Sequence, residues 1–161
     1  IIVDKTSTTN SGLSFSTIKM AVDSAVSGDT IIISEGVYKE KLRITKQGLT
    51  IASNFLLDKD TTHISRTIIS GDSVTQQSQF DALIYFNGSG QFDTTQLKVI
   101  GLTLTKASRY VLNMRLGLVS DCILANNGVN YSFPFMFEKT VIRNSKIENN
   151  KGSLIQRIVK L

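Results

Sequence analysis

The sequence contains no tryptophan and only one cysteine, one proline and one histidine among its 161 residues. A lone Cys122 excludes an intrachain disulfide, and a lone Pro134 excludes a proline-rich linker. His63 has no nucleophile-like neighbourhood, which argues against Ser-His-Asp catalysis, and no zinc spacing, phosphate loop or nucleophile elbow is present. Hydrophobic residues make up 41% of the chain and charged residues 19%, which indicates a single folded domain without a membrane span.

The N-terminal third combines a helix pattern with three strand patterns. Residues 15–27 predict an amphipathic helix with Ser16 as N-cap, ended by Gly28. Segments 30–34, 37–45 and 49–53 are β-branched runs separated by glycine turns, which predicts three strands. The apolar stripe of the helix, which we expect to be buried, consists of Ile18, Ala21, Val22, Ala25 and Val26.

These segments resemble the start of right-handed parallel β-helix proteins of the pectin-lyase-like superfamily, secreted bacterial type. The resemblance continues from Ser53 through residues 67–71. The match to the superfamily is close over the first half of the chain, whereas the second half matches by its repeat pattern alone. The matching motifs are Gly28-Asp29-Thr30-Ile31, Gly36-Val37-Tyr38-Lys39-Glu40 and Leu49-Thr50-Ile51.

The resemblance implies an all-β fold, a right-handed parallel β-helix, as one domain over residues 1–161. Residues 15–27 would form an N-terminal capping helix, and residues 28–161 the β-coils. It also implies a secreted or cell-surface bacterial protein that binds, or is displayed against, anionic polysaccharide. The alternative is the N-terminal part of a polysaccharide lyase or glycosidase acting on polyuronate-type glycans, because this scaffold carries many activities.

An internal repeat supports a solenoid independently of the resemblance. The segment 99–104 aligns with 119–124 and with 142–147, at offsets of 20 and 23 residues. In parallel coils the aligned side chains stack, so Leu104, Leu124 and Ile147 should form an interior column and Cys122 should be buried. Asn127 and Asn150 fall at the same turn, where stacked asparagines suit left-handed backbone.

Positive charge is concentrated in the second half of the chain. Residues 1–97 carry 8 Lys and Arg against 10 Asp and Glu, whereas residues 98–161 carry 10 against 3. This charge asymmetry suits binding to an acidic partner. The alternative interpretation is a solvated basic surface that binds no ligand. No recognition helix, zinc finger or aromatic RNA-binding motif accompanies the charge, so nucleic acid is not indicated.

An outward position of the repeat, Lys146, and the adjacent bend supply the candidate site. We predict substrate binding by Lys98, Asp121, Arg143 and Lys146, with no assigned catalytic residue and no metal. If the chain is a lyase, the resemblance implies calcium and an Arg or Lys base; the alternative is a basic surface or glycan contact. Calcium, however, requires a cluster of carboxylates that these positions lack.

Two further segments have alternative interpretations. One segment contains Asp58, Asp60 and His63, which are metal ligands by type; the alternative is a turn or short helix in which Asp and Thr side chains cap local backbone groups. In the other segment every second residue is a phenylalanine, so that the three rings share one face: Phe133, Phe135 and Phe137. An exposed row of rings would stack on sugars, and the alternative is a row that faces inward.

The segment 152–161 is still strand-like and apolar at the last residue of the sequence. An uncovered coil would expose unpaired backbone groups. We therefore expect the C-terminal end to continue into further coils or to be covered by another chain.

Overall fold

The computed structural model describes residues 1–8, 12–72, 82–87, 96–128 and 135–151, with backbone alone at 87 and 135–138. This part of the chain is predominantly β, and every strand pair in it is parallel. The curled parallel sheets are compatible with a solenoid or β-helix. Three helices accompany them: α1 (Ile18–Ser24), α2 (Phe55–Asp58) and α3 (Thr62–Arg66).

The strands form three stacks, which the chain visits in turn. Stack A contains β1 (Ile2–Val3), β3 (Thr30–Ile33), β6 (Thr50–Ser53), β9 (Leu97–Ile100) and the C-terminal parts of β11 (Tyr110–Ser120) and β13 (Phe135–Arg143), with β2 (Ser14–Phe15) beside β1. Stack B contains β4 (Gly36–Tyr38), β7 (Thr67–Ser70), β10 (Thr103–Thr105), β12 (Ile123–Ala125) and β14 (Lys146–Glu148). Stack C contains β5 (Leu42–Ile44), β8 (Ala82–Asn87) and the N-terminal parts of β11 and β13.

The register confirms the repeat predicted from the sequence. Val99 pairs with Val119, and Leu104 pairs with Leu124, at the predicted offset of 20 residues. Leu104 and Leu124 are fully buried, as expected for one interior column, and Cys122 is 2% exposed, which confirms its predicted burial. Ile147 is in register with Leu124 but is 39% exposed, because β14 is the end strand of stack B in the described part of the chain.

Successive strands of the later rungs meet at corners made by residues with left-handed backbone. Such a conformation costs a residue with a Cβ roughly 1–2 kcal/mol, and Asn and Asp tolerate it best. Most of these positions accordingly hold Gly, Asp or Asn. The corner from stack A to stack B holds Gly101, Asp121 and Asn144, the corner from B to C holds Lys106, Asn126 and Asn149, and the corner from C to A holds Leu116 and Lys139.

Asn127 and Asn150 link consecutive rungs beside the corner from stack B to stack C. The Asn127 side chain is buried, and its Nδ2 donates to Leu104 O at 3.0 Å and to Asn150 Oδ1 at 3.0 Å. Its Oδ1 accepts the backbone N–H of Ala107 at 2.9 Å. Asn150 repeats the pattern one rung later, donating to Leu124 O at 2.8 Å. The predicted stacking of the two asparagines is therefore confirmed.

The N-terminal helix differs from its prediction in length and cap. It spans Ile18–Ser24 instead of 15–27, because Thr17, not Ser16, accepts the Met20 N–H at its side chain and the backbone is already extended at Ala25. Ile18 and Val22 are buried as predicted. Val26 lies beyond the helix and is 66% exposed, so its predicted burial is wrong. The capping role of α1 stays a prediction.

One strand prediction also needs correction. The segment predicted as one strand over residues 37–45 forms β4 and β5, separated by a bend that turns the chain from stack B to stack C. The excursion over residues 54–66 contains α2 and α3. Thr103 Oγ1 donates to Ile64 O at 2.7 Å, which holds α3 against the outer side of stack B.

We predict that Asn127→Ala lowers the free energy of unfolding by about 3–5 kcal/mol, because it leaves several buried backbone groups without partners. Chemical denaturation followed by circular dichroism measures this loss. Asn54→Ala is the matched control: its side chain makes no capping hydrogen bond, so its effect should stay within about 0.5 kcal/mol. Equal losses for both variants would contradict the structural role of Asn127.

Candidate functional site

The structure distributes the four predicted site residues over two stacks and the corner between them. Lys98 and Arg143 have exposed side chains on the outer side of stack A, in strands two rungs apart. Lys146 lies past the corner at Asn144, on the outer side of stack B. Asp121 occupies that corner one rung earlier, so the four residues do not share one face.

Lys146 and Asp121 already have local roles. Lys146 Nζ lies 2.9 Å from the Glu148 carboxylate, and both residues belong to the outer side of β14. The half-buried Asp121 has φ of 56°, and its backbone N–H donates to Arg143 O at 3.2 Å. Asp121 is thus suited to the left-handed corner, and Lys146 is neutralised by a neighbour.

A third cation, Lys139, joins Lys98 and Arg143 on stack A. Lys139 lies at the corner where β13 enters stack A, two residues before Val141, and Arg143 lies two residues after it. Lys98 is in register with Leu118, which is in register with Val141. We call the surface formed by Lys98, Leu118, Lys139, Val141 and Arg143 the cationic face.

Strand geometry sets the spacing of the cationic face. Val141 and Arg143, alternate residues in the extended part of β13, are about 7 Å apart, and strands two rungs apart are separated by about 10 Å. The three charges therefore surround an apolar centre formed by the half-buried Leu118 and by Val141, which is 45% exposed. This pattern provides cations at the edges and a flat apolar surface between them.

Ion pairs do not neutralise the three cations of this face among the side chains that the structure describes, which leave out that of Glu138. The three cations are exposed, and no described carboxylate side chain lies within ion-pair distance of any of them. Such a group produces a positive potential that attracts anions and weakens as salt is added. Sequence analysis missed Lys139, and only its outward alternation with Val141 and Arg143 along β13 could have indicated it.

Cys122 is not a candidate nucleophile. Its side chain is buried beneath the corner from stack A to stack B, with Sγ 3.2 Å from Ser120 O. Burial raises the pKa of the Cys122 thiol to about 12. The thiol therefore stays protonated at neutral pH and packs as a small apolar group, as the sequence predicted.

The acidic excursion carries an imidazole held between two carboxylates. His63 Nδ1 lies 2.9 Å from Glu35 Oε1, and His63 Nε2 lies 3.0 Å from Asp58 Oδ2. The Glu35 carboxylate also lies 3.7 Å from Arg66 Nη1. Since each ring nitrogen faces a carboxylate, the geometry favours the doubly protonated imidazolium.

The carboxylates of the excursion bond to local backbone, as the alternative to a metal site predicted. Asp58 Oδ1 accepts the Asp60 N–H at 2.9 Å, and Asp60 Oδ1 accepts the Thr62 N–H at 2.9 Å. Both bonds lower the pKa of the accepting carboxyl. Among the described residues no three His, Cys, Asp or Glu side chains are arranged to hold a metal ion.

The side chains of the alternating phenylalanines lie outside the described part of the chain. Phe133 lies outside the described residues, and at Phe135 and Phe137 the structure describes the backbone alone. The choice between an exposed and an inward-facing row therefore stays a prediction.

Comparison of the chain with protein-family models, with curated proteins and with solved structures returns no match. Of the helices in the described ranges, none has the length and apolarity needed to cross a membrane. The choice of the cationic face as the candidate site consequently rests on its geometry and charge alone.

We predict that His63 makes stability fall as the pH rises above about 6.5. Burial alone lowers the pKa of His63, but hydrogen bonds and charge from Asp58 and Glu35 outweigh it, so the pKa is raised above 6.5. A raised pKa means that the stabilisation is complete below about pH 6.5 and is lost as pH rises through the folded-state pKa. The melting temperature should therefore drop between pH 6 and pH 9.

His63→Gln is the variant that isolates this effect, because glutamine can still donate one hydrogen bond but does not titrate. Its melting temperature should change less than that of the wild type across the same interval. An equally steep decline in both proteins would show that other groups cause the pH dependence.

Proposed function

We propose that this chain is a right-handed parallel β-helix of the pectin-lyase-like type, and that it binds anionic polysaccharide without turning it over. In this proposal the protein acts outside the cell or at the cell surface, and α1 covers the N-terminal end of the coils. The cationic face is the observation that carries the binding proposal.

The three parallel stacks support the fold assignment. Successive strands of each stack come from successive passes of the chain, and the corner residues recur at equivalent positions. Stacked repeats need a cover at their ends, and α1 packs against β1, β2, β3 and β5 at the N-terminal end. The resemblance of the N-terminal motifs to the superfamily agrees with this architecture.

The arrangement of the cationic face supports an extended anionic polymer as ligand. Lys98, Lys139 and Arg143 are exposed and lie on a regular surface of parallel strands, so a chain of acidic sugars can contact several of them at once. The apolar centre at Leu118 and Val141 suits the less polar side of a sugar ring. Each exposed ion pair contributes little, so affinity depends on their number.

The donor set near this face argues against a calcium-dependent lyase. Calcium takes six to eight oxygen ligands, several of them from carboxylates. Among the described side chains, which do not include that of Glu138, Asp121 is the carboxylate of the adjacent corner, and Glu148 on stack B is paired with Lys146. We therefore derive no catalytic step through a metal and propose binding alone.

We predict that the 161-residue protein is retained by immobilised polygalacturonate and is released by salt. Replacing Lys98, Lys139 and Arg143 together by Gln should weaken binding about tenfold, since each exposed ion pair contributes about 0.2–1 kcal/mol. Binding is measured by biolayer interferometry, with a neutral glucan as the reference surface.

The matched control replaces Lys5, Lys59 and Lys151 by Gln, which removes the same charge at other places on the surface. It should retain most of the binding. Equal losses in the two triple variants would reduce the proposal to an effect of net charge, and absence of binding by the wild type would refute it.

The lyase alternative has its own readout. A lyase would release unsaturated uronides, which absorb in the far ultraviolet. The binding proposal therefore predicts no rise in absorbance when polygalacturonate is incubated with the protein. A rise that disappears in Arg143→Ala would replace the binding proposal with an enzyme.

A further inference from the structure

A polar groove lies between α1 and β5, at the N-terminal end of stack C and away from the cationic face. Its volume is about 300 Å³, near the lower end of the range for small-molecule sites. Lys19 and Asp23 of α1 form one wall, and Arg43 and Thr45 form the other. Lys41 also lines it, and the buried Val22 and Leu42 form its floor.

Side chains that flank β5 hold the two walls at a fixed separation. Before the strand, Glu40 accepts the backbone N–H groups of Ile18 at 3.1 Å and of Lys19 at 2.8 Å. After the strand, Lys46 Nζ donates to the Val22 carbonyl at 2.8 Å and also to the Asp23 carbonyl. Because both ends of the helix are tied to the strand, the groove is formed before any ligand arrives, which lowers the entropic cost of binding.

The charges of the groove favour an anion. Three of its lining side chains are cationic, namely Lys19, Lys41 and Arg43, whereas Asp23 is the single carboxylate among the lining residues. Asp23 accepts from Lys19 at 2.6 Å, so the two charges of the helix wall are paired with each other.

Arg43 is the residue best placed to hold a carboxylate. Its guanidinium carbon lies 5.5 Å from the ring centroid of Tyr85 on the next rung, and its side chain is exposed. A guanidinium that stacks on an aromatic face keeps its planar set of N–H donors for two parallel hydrogen bonds. The stacking also restricts the rotamers of Arg43, so less entropy is lost when a carboxylate binds.

From these features we infer that the groove binds a single acidic sugar, with Arg43 holding the carboxylate, Thr45 contacting a hydroxyl and the Val22–Leu42 floor lying under the ring. The choice of an acidic sugar rests on the proposed function. The site itself is separate from the cationic face, since it lies on stack C at the opposite end of the described rungs.

The test is calorimetric titration of the whole protein with D-glucuronate, D-glucose and sodium sulfate at constant ionic strength. Glucuronate should bind saturably and at least about tenfold more tightly than either reference, because neither reference supplies both the carboxylate and the ring. Arg43→Gln should weaken glucuronate binding about tenfold, and Arg43→Lys, which keeps the charge but not the paired donors, should weaken it several-fold.

Asp23→Asn tests the same site by a gain of affinity. Removal of the single carboxylate should strengthen glucuronate binding about threefold, a gain that a misfolded variant would not produce. Lys151→Gln, which lies on the last described rung, is the control and should bind as the wild type does.

Several outcomes would overturn the inference. The first is that glucuronate binds the protein no more tightly than glucose does, and the second is that sulfate binds as tightly as glucuronate. The third is that the affinity for glucuronate is unchanged in both Arg43→Gln and Asp23→Asn. If glucuronate does not bind but polygalacturonate still captures the protein through Lys98, Lys139 and Arg143, the groove is wrong and the proposed function stands. If glucuronate binds but the polymer does not, the proposed function is wrong and the groove stands.

Discussion

The backbone at the corners is the constraint on which the later rungs depend. A parallel strand can stack on its predecessor only if the chain turns at the same place in every pass. Here the turn falls on single residues with φ between 48° and 67° at each corner of the later rungs. Leu116 and Lys139 adopt this conformation at a cost of roughly 1–2 kcal/mol each, which the parallel pairing of the flanking strand segments offsets.

Regular corners have two consequences, one inside the molecule and one outside. Inside, they align equivalent side chains, so that Leu104 and Leu124 share a column and Asn127 can bond to the rungs on both sides. Outside, they produce flat faces on which side chains recur at fixed spacing. The cationic face uses this spacing along stack A, whereas the groove lies between the first strand of stack C and α1 and depends on the bonds of Glu40 and Lys46.

Sequence analysis predicted the parts of the fold that leave a periodic trace. The repeat at 20 and 23 residues predicted the register of Thr103, Ile123 and Lys146, and the paired asparagines predicted their stacking. It did not predict the break between β4 and β5 or the short extent of α1, because those depend on where the chain must turn and on tertiary bonds from Glu40 and Lys46. Of the predicted site residues, Lys98 and Arg143 share a face. Lys146 is only three residues from Arg143 in the sequence, but the corner at Asn144 places it on a different stack.

The parallel stacking of distant segments is the central claim, and nuclear Overhauser contacts between backbone protons test it most directly. Ile51 and Val99 are both fully buried and directly in register although they are far apart in sequence. The account predicts amide and α-proton contacts between the strands of this pair, and a matching series linking Val99 to Val119 and Val119 to Ile142. Strong contacts between α-protons of strands adjacent in sequence, as antiparallel hairpins produce, would contradict it.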